Sequence, residues 1–195
     1  NNAAYYGTKY KETSAVKYAS IYAEYAKLFP NTRISVVNMP MSAFNITNPT
    51  VRSWLTDQGE ILDKMEEQIY GDVNFVNLKS TFEQHRGEYL YFKSDYHWTQ
   101  RGAYYAYEAF ARSVGLTPRK LSDFEERIIS DSFVGRTNDY AHDERILTFV
   151  DTIYAYMPTK QHTMTTYNSN LEVARVFQNC IYASKKTYSC FISGD

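Results

Sequence analysis

The hydrophobic residues near the start of the chain recur with the spacing of a helix. Between Glu12 and Phe29, apolar side chains follow at intervals of one, three and four residues, at Val16, Ala19, Tyr22, Ala23, Ala26 and Phe29. Pro30 then ends this predicted helix, because proline lacks the backbone N–H that the next turn needs. The β-branched run from Arg33 to Asn38 predicts a short buried strand of a parallel sheet.

The alternation of helix and strand continues to residue 115. The pattern predicts helices and strands in turn, at Ser53–Tyr70, Val73–Leu78, Ser80–Arg86, Tyr89–Phe92 and Gln100–Val114. Such alternation is typical of a parallel sheet with helices on both faces. In open sheets of this kind ligands bind beyond the carboxyl ends of the strands, so we expect a functional site at that edge.

The character of the chain changes after Pro118. Ser122, with Glu125 three residues later, predicts a capping box and a short helix, and a loop is predicted from Phe133 to Asp143. Four strands follow in the pattern, at Leu147–Met157, His162–Tyr167, Glu172–Tyr182 and Thr187–Ile192. The last two are predicted to form a hairpin about Ser184–Lys186. We therefore predict an α/β core over residues 1–120, and a short helix with an antiparallel β segment over residues 121–195.

Composition narrows the classes of function. The 195 residues carry 21 lysines and arginines against 22 acidic residues, so nothing predicts a nucleic-acid partner or a polybasic membrane patch. No apolar run reaches about 18 residues, so we expect no transmembrane segment in this chain. The 19 tyrosines and 11 phenylalanines indicate a packed domain, and most are expected to fill the core and strands. Tyrosine also suits sugar-binding surfaces.

Two features concern the context of the chain. It starts without a methionine, so we expect a piece of a longer product, and the lack of a signal peptide is then not evidence for the cytoplasm. The cysteines, Cys180 and Cys190, are too far apart for a Cys-x-x-Cys motif. They flank the predicted hairpin, which leaves a disulfide and two buried thiols as alternatives.

The stretch with the most chemistry lies between the strand predicted at Tyr89–Phe92 and the helix that starts at Gln100. Asp95 and His97 are two residues apart there, and in extended backbone such side chains point the same way, roughly 6.5 Å apart. The carboxylate can then orient the imidazole, as in the base half of a nucleophilic triad. Thr99 is a fair N-cap, and the positive end of its helix favours an anion nearby. The alternative is a loop histidine held by a nearby aspartate.

The residues on both sides of Asp95 and His97 favour the catalytic interpretation over the loop histidine. Ser94-Asp-Tyr-His-Trp-Thr99, followed by Gly102-Ala-Tyr-Tyr-Ala-Tyr107, resembles the signature of the DHHW family. This SGNH-hydrolase-like family occurs in bacterial envelope proteins. It is similar to the acetyltransferase-like proteins that O-acetylate alginate, which carry an Asp-x-His-Trp-Thr string. The resemblance implies a three-layer α/β fold and no cofactor. It also implies that Asp95 and His97 are the acid and base of a Ser-His-Asp triad. Tyr96 stands where the family name has its first histidine, which is not the histidine matched to the base.

The resemblance identifies no residue of this chain as the serine of such a triad. In the family members with this order, the serine follows the Asp-x-His string after a further strand. The tail Ser193-Gly-Asp195 resembles the segment that precedes that strand. We therefore expect the C-terminal remainder of the parent chain to supply the nucleophile. Within the chain, Ser42 follows the first predicted strand, which makes it a weaker candidate for the nucleophile or a substrate contact. Ser132, in an Asp-Ser pair, is a similar candidate, and a loop role explains both better.

Other residues near the pair have two interpretations each. Arg101 can hold a substrate oxyanion or lie on the helix surface, and Trp98 can be a sugar platform or a core anchor. The polar segment Asn138–Glu144 can hold a cation, although a solvated loop explains it better. The histidines have no zinc-ligand spacing, and no glycine-rich nucleotide loop is present, so we predict no metal and no nucleotide cofactor.

Two hypotheses follow from the sequence. The first is an extracellular or envelope ester hydrolase or O-acyltransferase whose substrate is an acylated glycan or a small acyl ester, as the resemblance implies. The second is a non-catalytic module on an SGNH-like scaffold that binds a glycan or a protein, because a fold by itself does not fix a function.

Overall fold

The computed structural model describes residues 3–160, 162–178, 181 and 186–191. The helices are α1 (Glu12–Leu28), α2 (Pro49–Arg52), α3 (Gln58–Gln68), α4 (Lys79–Gln84), α5 (Gln100–Ser113) and α6 (Asn138–Ala141). The strands are β1 (Ile34–Asn38), β2 (Val73–Asn77), β3 (Glu125–Phe133), β4 (Asp151–Met157), β5 (Thr163–Tyr167) and β6 (Val173–Gln178). Short 3-10 helices lie at Ser42–Asn45, Leu121–Asp123, Glu144–Thr148 and Tyr188–Phe191.

The chain forms two units that interleave along the sequence. The larger unit comprises Tyr5–Tyr91 and Tyr96–Pro118. The smaller unit comprises the described residues of Asn1–Ala4, Phe92–Asp95 and Arg119–Asp195. The four residues Phe92–Asp95 therefore belong to the smaller unit, although both of their flanking segments belong to the larger one.

The larger unit is mixed α/β and contains the predicted parallel pairing. β1 pairs with β2 in parallel, from Ile34 opposite Val73 to Asn38 opposite Asn77. The strand predicted at Tyr89–Phe92 is wrong, because only a single antiparallel bridge forms there, between Tyr91 and Trp98. The Leu90 carbonyl accepts from the Thr99 N–H at 2.8 Å, so this segment pairs with residues that follow it in the chain. Within the described residues, the parallel sheet has two strands.

One hydrophobic cluster fills the larger unit. Phe82, Leu78 and Leu90 have no exposed surface, and the remaining buried members are Phe44, Val76, Tyr91, Tyr105 and Ala106. These side chains come from β2, α4, α5 and the segments beside them, so the cluster joins the sheet to the start of α5. Burial of a large apolar side chain contributes about 1.5–3 kcal/mol, which makes this cluster the main source of stability for the unit.

Two helices differ from the sequence prediction. The buried face of α1 is a narrow stripe of small residues, Ala15, Ala19 and Ala23, whereas Val16 and Phe29, which were predicted to be buried, are exposed. The helix predicted at Ser53–Tyr70 is shorter, since only α3 lies within that range, and a separate short helix, α2, ends just before it. Each starts at its own N-cap: Asn48 accepts from the Thr50 and Val51 N–H groups, and Asp57 accepts from the Gly59 N–H.

The smaller unit is built from two antiparallel pairs. β3 pairs with β4, with irregularities in register near Ser130, and β5 pairs with β6. The short helix predicted at Ser122–Glu125 is reduced to one 3-10 turn, and strand β3 lies between this turn and the predicted loop, which it overlaps only at Phe133. Strand β3 was not predicted, because its first four residues are exposed and mostly charged. They do not show the alternation of apolar and polar residues that indicates a strand. The strand predicted at Thr187–Ile192 is a 3-10 helix at Tyr188–Phe191, so β6 pairs with β5 instead. Most of the predicted turn lies outside the described residues.

A search of the described helices found none long and apolar enough to cross a membrane.

Candidate functional site

A buried carboxylate fixes the backbone just before the Asp-x-His pair. Asp151, at the start of β4, is 1% exposed. Its two oxygens accept from the Lys93 N–H at 2.9 Å, from the Ser94 N–H at 2.8 Å and from the Ser94 hydroxyl at 2.6 Å. The Lys93 carbonyl accepts in turn from the Ala4 N–H at 2.8 Å. Hydrogen bonds to a charged group are stronger than those between neutral groups. The bonds to Asp151 therefore hold the backbone of Lys93 and Ser94 in place.

Asp95 itself lies in a tight pocket of backbone. It is 3% exposed, and its Oδ2 accepts from the Arg136 N–H at 3.0 Å. The neighbouring N–H groups continue the contact: Gly135 donates to the Ser94 hydroxyl at 2.9 Å, and Thr137 donates to the Ser94 carbonyl at 3.1 Å. The loop after β3 therefore runs alongside Ser94 and Asp95 and holds the carboxylate in place.

Gly135 is required by this packing. A Cβ at this position would lie 2.3 Å from the Asp95 Cβ and 2.6 Å from its Oδ2. No side chain fits there unless Asp95 moves, so the residue beside the acid has to be glycine.

His97 lies in the larger unit, two residues after Asp95, and is half-buried. Its ring centroid is 4.2 Å from that of Tyr96, and the Tyr96 ring makes an edge contact with Tyr6 at 5.9 Å. The Tyr6 N–H donates to the Ser42 hydroxyl at 2.6 Å. Aromatic contacts of this kind restrict the directions in which a neighbouring imidazole can turn.

The helix that follows the pair begins as predicted. Thr99 is the N-cap of α5: its hydroxyl accepts from the Gly102 N–H at 3.5 Å and donates to the Tyr89 carbonyl at 2.5 Å. A Cβ on Gly102 would lie 2.7 Å from the Leu90 carbonyl oxygen, so glycine allows the first turn of α5 to approach the preceding segment. His97 consequently lies just before the positive end of a 14-residue helix.

Arg101 belongs to a network of polar side chains around Glu88. The Glu88 carboxylate contacts Nδ1 of His85 at 2.7 Å, the Tyr105 hydroxyl at 2.9 Å and the Arg101 guanidinium at 3.4 Å. The His85 and Tyr105 rings stack with their centroids 3.5 Å apart. Burial alone would raise the pKa of Glu88, but the hydrogen bonds from His85 and Tyr105, with the charges of His85 and Arg101, hold it below its usual value.

The comparison with protein families agrees with the signature. Residues 2–195 match the family model described as "DHHW protein". The chain belongs to the DHHW family. The predicted family is thereby confirmed. A search of curated proteins found no match for this DHHW protein.

Solved structures share the fold. This DHHW protein is similar to the crystal structure of a DHHW family protein from Eubacterium siraeum, with a TM-score of 0.78 and 24% identity over 93% of this chain and 61% of that one. It is also similar to two structures of Bacillus cereus PatB1, one of them with a sulfonyl adduct. Their TM-scores are 0.66 and 0.65, both are 17% identical, and the matches cover 98% and 95% of this chain and 71% and 67% of theirs. The chain thus spans about three fifths of the Eubacterium siraeum protein.

The other predicted site residues of the DHHW protein have structural contacts. Trp98 packs against the hydrophobic cluster of the larger unit, and its backbone bridges to Tyr91. Ser42 is 1% exposed and holds the N-terminal segment through Tyr6. A direct role of either residue in binding substrate stays a prediction.

The serines near the pair are accounted for in the same way. The Ser94 hydroxyl is buried between Asp151 and Gly135, and Ser132 is exposed on β3. Ser193 lies outside the described residues. Cys190 is a buried free cysteine, and burial raises the pKa of its thiol to about 12. Cys180, the candidate partner in the disulfide alternative, lies outside the described residues.

The polar segment at residues 138–144 does not gather into a metal site. Asp143 accepts from the Arg145 N–H and pairs with its guanidinium, and Asp139 pairs with Arg136. Over the part of the chain that the structure describes, no group of three or more histidine, cysteine or acidic residues could hold a metal ion.

Sequence reasoning missed the residues that hold the acid. Asp151 and the loop at Gly135–Thr137 lie far from Asp95 in the chain, and one sequence carries no signal that would pair them. The clearest local hint is Gly135, two residues after the end of β3, because a glycine can mark a close approach of two backbone segments.

Proposed function

We propose that the full protein is an SGNH-type ester hydrolase or O-acyltransferase that acts on O-acyl groups of an extracellular or cell-envelope glycan. His97 is the general base, and Asp95 is the residue that positions it. The remainder of the parent chain supplies the serine. The observation that carries the proposal is the fixed, buried carboxylate of Asp95 two residues before a histidine at the start of α5.

The burial of Asp95 needs a reason beyond local packing. A buried carboxylate is costly unless hydrogen bonds compensate for the lost water. Here Arg136 compensates Asp95, while Asp151, Gly135 and Thr137 hold the preceding residues. A residue that positions the base of a triad must itself be held in place by its neighbours, as these hydrogen bonds do for Asp95.

The chemistry assigned to these residues is a two-step acyl transfer. The serine hydroxyl attacks the acyl carbonyl while His97 removes its proton, and backbone N–H groups stabilise the oxyanion. The ester bond then breaks, and the leaving alcohol takes the proton from His97. Water or an acceptor hydroxyl attacks the acyl-serine in the second step, and His97 again accepts and returns the proton. Asp95 stabilises the imidazolium that forms in each step.

The similar structure of PatB1 with a sulfonyl adduct supports the reaction class. A sulfonyl group is an electrophile that an activated nucleophile captures. At 17% identity the similarity shows the fold alone, so the chemistry comes to this chain as part of the proposal. The SGNH-like three-layer sheet belongs to the proposal for the whole parent protein.

The test compares variants of the full-length protein in two assays, hydrolysis of p-nitrophenyl acetate and covalent labelling by phenylmethanesulfonyl fluoride followed by mass spectrometry. His97→Ala should lower kcat/KM by about 10³-fold or more, and Asp95→Asn should lower it by about 10²-fold or more. Both should slow labelling of the serine. His162→Ala removes an exposed histidine and is the matched control, which should retain activity.

Undiminished turnover and labelling in His97→Ala would overturn the assignment. If the wild-type protein shows no ester turnover and binds a glycan equally well with and without His97, the non-catalytic binding module is the correct function.

A further inference from the structure

A concave feature of the larger unit lies beside the 3-10 helix at Ser42–Asn45. It is a cavity of about 290 Å³, close to the lower end of the ~300–1,000 Å³ range of small-molecule pockets. Its wall includes apolar and charged residues, among them Phe44, Leu55, Arg52, Asp57, Gln58 and Arg86.

Arg86 is the most buried charge of this wall. Its side chain is 14% exposed, its guanidinium lies over the Phe44 ring at 4.2 Å, and it donates to the Phe44 carbonyl. Glu83 is 4.0 Å from the guanidinium, too far for a hydrogen bond. Burial, and then the positive charge of Arg52, lower the pKa of Arg86 against the opposing effect of Glu83 and Asp57. The guanidinium is therefore a desolvated cation whose charge its neighbours compensate incompletely.

Arg52 is a second guanidinium on the same wall. Within the described residues its ion-pair partner is Asp57, at 3.9 Å, which is also too long for a hydrogen bond. The other Asp57 oxygen already accepts from the Gly59 N–H at 2.7 Å as the cap of α3. The charged residues that line the cavity are thus two arginines and one partly engaged carboxylate, a net charge of one positive unit.

We propose that this cavity binds a sugar-sized ligand that carries a carboxylate or a phosphate. Arg52 and Arg86 hold the oxyanion, because guanidinium groups match carboxylate and phosphate oxygens in geometry as well as in charge. Leu55 contacts the apolar face of the ring, and Ser53 faces its hydroxyl groups; both residues are exposed in the wall of the cavity. The proposal goes beyond the proposed function, because it is independent of whether Asp95 and His97 act as acid and base.

The cavity is connected to the signature within the larger unit. Ala43, which lines the cavity, donates its N–H to the Tyr6 carbonyl at 2.7 Å, and the Tyr6 ring contacts Tyr96 beside His97. One residue, Tyr6, therefore links the wall of the cavity to the signature.

Isothermal titration calorimetry on the full-length protein tests the proposal with sodium glucuronate, glucose 6-phosphate and uncharged glucose. We expect at least one of the two anions to bind and glucose to bind at least about tenfold more weakly, with affinity falling as sodium chloride is added. The Arg52→Gln variant, at a half-exposed residue that leaves the core intact, should weaken anion binding about tenfold or more. Arg86→Lys keeps the charge but loses the planar fork and should weaken it as well.

Arg112→Gln is the matched control, because it removes the same charge from an exposed site on α5 outside the cavity. It should bind the anions as the wild type does. The proposal is overturned if neither anion binds, if glucose binds as tightly as the anions, or if Arg52→Gln binds as tightly as Arg112→Gln. Loss of ester turnover in His97→Ala with anion binding retained would separate this site from the proposed triad.

Discussion

At the scale of single residues, one carboxylate determines the path of the chain before the candidate acid. Asp151 receives hydrogen bonds from two consecutive N–H groups and one hydroxyl of a segment 57 residues earlier in the sequence. These bonds use the lone pairs that a buried carboxylate would otherwise leave unsatisfied. Because Ser94 directly precedes Asp95, these bonds also restrict the backbone at Asp95. Asp151 therefore affects the position of the candidate acid through Ser94.

Replacement of Asp151 by asparagine should destabilise the protein. The side chain keeps its size, but it loses its charge and presents an N–H₂ group to N–H donors. We expect a loss of about 2–4 kcal/mol in the free energy of unfolding, measured by urea denaturation. Asp131→Asn, at an exposed residue of β3, is the matched control and should stay within about 0.5 kcal/mol of the wild type. Equal stability of the two variants would contradict the role of Asp151.

A second prediction at this scale concerns Gly135. The Gly135→Ala variant places a methyl group where the Asp95 carboxylate lies, so either the loop or the acid has to move. We expect a loss of about 1–3 kcal/mol in unfolding free energy and a lower kcat for ester turnover with KM less affected. Gly59→Ala is the control, because the atoms nearest to its methyl group would be side-chain atoms at 3.1 Å, from Asp57 and the flexible Lys79, and none of them is a backbone atom. A Gly135→Ala variant with the stability and the kcat of Gly59→Ala would argue against this packing.

The third concerns the Glu88 network and pH. The folded pKa of Glu88 lies below its unfolded value of 4.5, so its stabilising effect is present above that value and is lost as the pH falls through the folded pKa. The stability difference between wild type and Glu88→Gln should therefore be larger at about pH 6 than at about pH 3. Urea denaturation of both proteins across this range measures the difference. A constant difference would show that the carboxylate has no shifted pKa.

At the scale of elements, α5 is the helix that presents the signature. Its start depends on Thr99, which is 2% exposed and bonds both to Gly102 inside the helix and to Tyr89 before it. The cap therefore ties the helix to the segment that precedes it, in addition to satisfying an N–H group of the first turn.

Substitution of this cap tests the contribution of its hydroxyl group, which makes both bonds. Thr99→Ala should lower the free energy of unfolding by about 1–2 kcal/mol, because the helix loses its cap and the Tyr89 carbonyl loses a donor. Thr99→Ser keeps the hydroxyl and should recover most of that loss. Thermal and urea denaturation of the two variants would measure the gap, and the absence of any gap would exclude the hydroxyl as the stabilising group.

The elements with strong local signals are those that the sequence predicted. The α1 and α5 helices and the β1 and β2 strands lie within a few residues of their predicted positions, since periodicity and the Thr99 cap are properties of short segments. The break between α2 and α3 was readable from Asn48-Pro49 and Asp57, two N-cap signals that hydrophobic periodicity obscured. Strand β3 was not readable, because its pairing with β4 comes from tertiary structure. Likewise Asp95 and His97 stand out locally, whereas the contacts of Asp95 with the loop after β3 depend on the fold.

At the scale of the whole molecule, the chain divides into units that alternate along the sequence. Phe92–Asp95 joins the smaller unit because its partners are Asp151, Phe133 and the loop after β3. The path of these four residues thus depends on residues that come much later in the sequence.

A truncated chain tests this dependence. In the full protein the Lys93 N–H and carbonyl are both hydrogen-bonded, to Asp151 and Ala4. A version that ends at Pro118 lacks Asp151, so trypsin should cleave after Lys93 much faster than in the full protein, as mass spectrometry of timed digests would show. Cleavage at Arg86, which is buried against Phe44, should change little and serves as the internal control. Equal protection of Lys93 in both versions would contradict the dependence on Asp151.

The distance in sequence between Ser94 and Asp151 also has a consequence for synthesis on the ribosome. The signature leaves the exit tunnel with its histidine and helix cap already adjacent in the chain, but the carboxylate that secures the preceding residues is translated 57 residues after Ser94. During that interval the larger unit can begin to fold from contacts within residues 5–118. Ser94 gains its bonds to Asp151 only after the start of β4 has been made, so the larger unit can acquire its core before the backbone beside Asp95 is fixed.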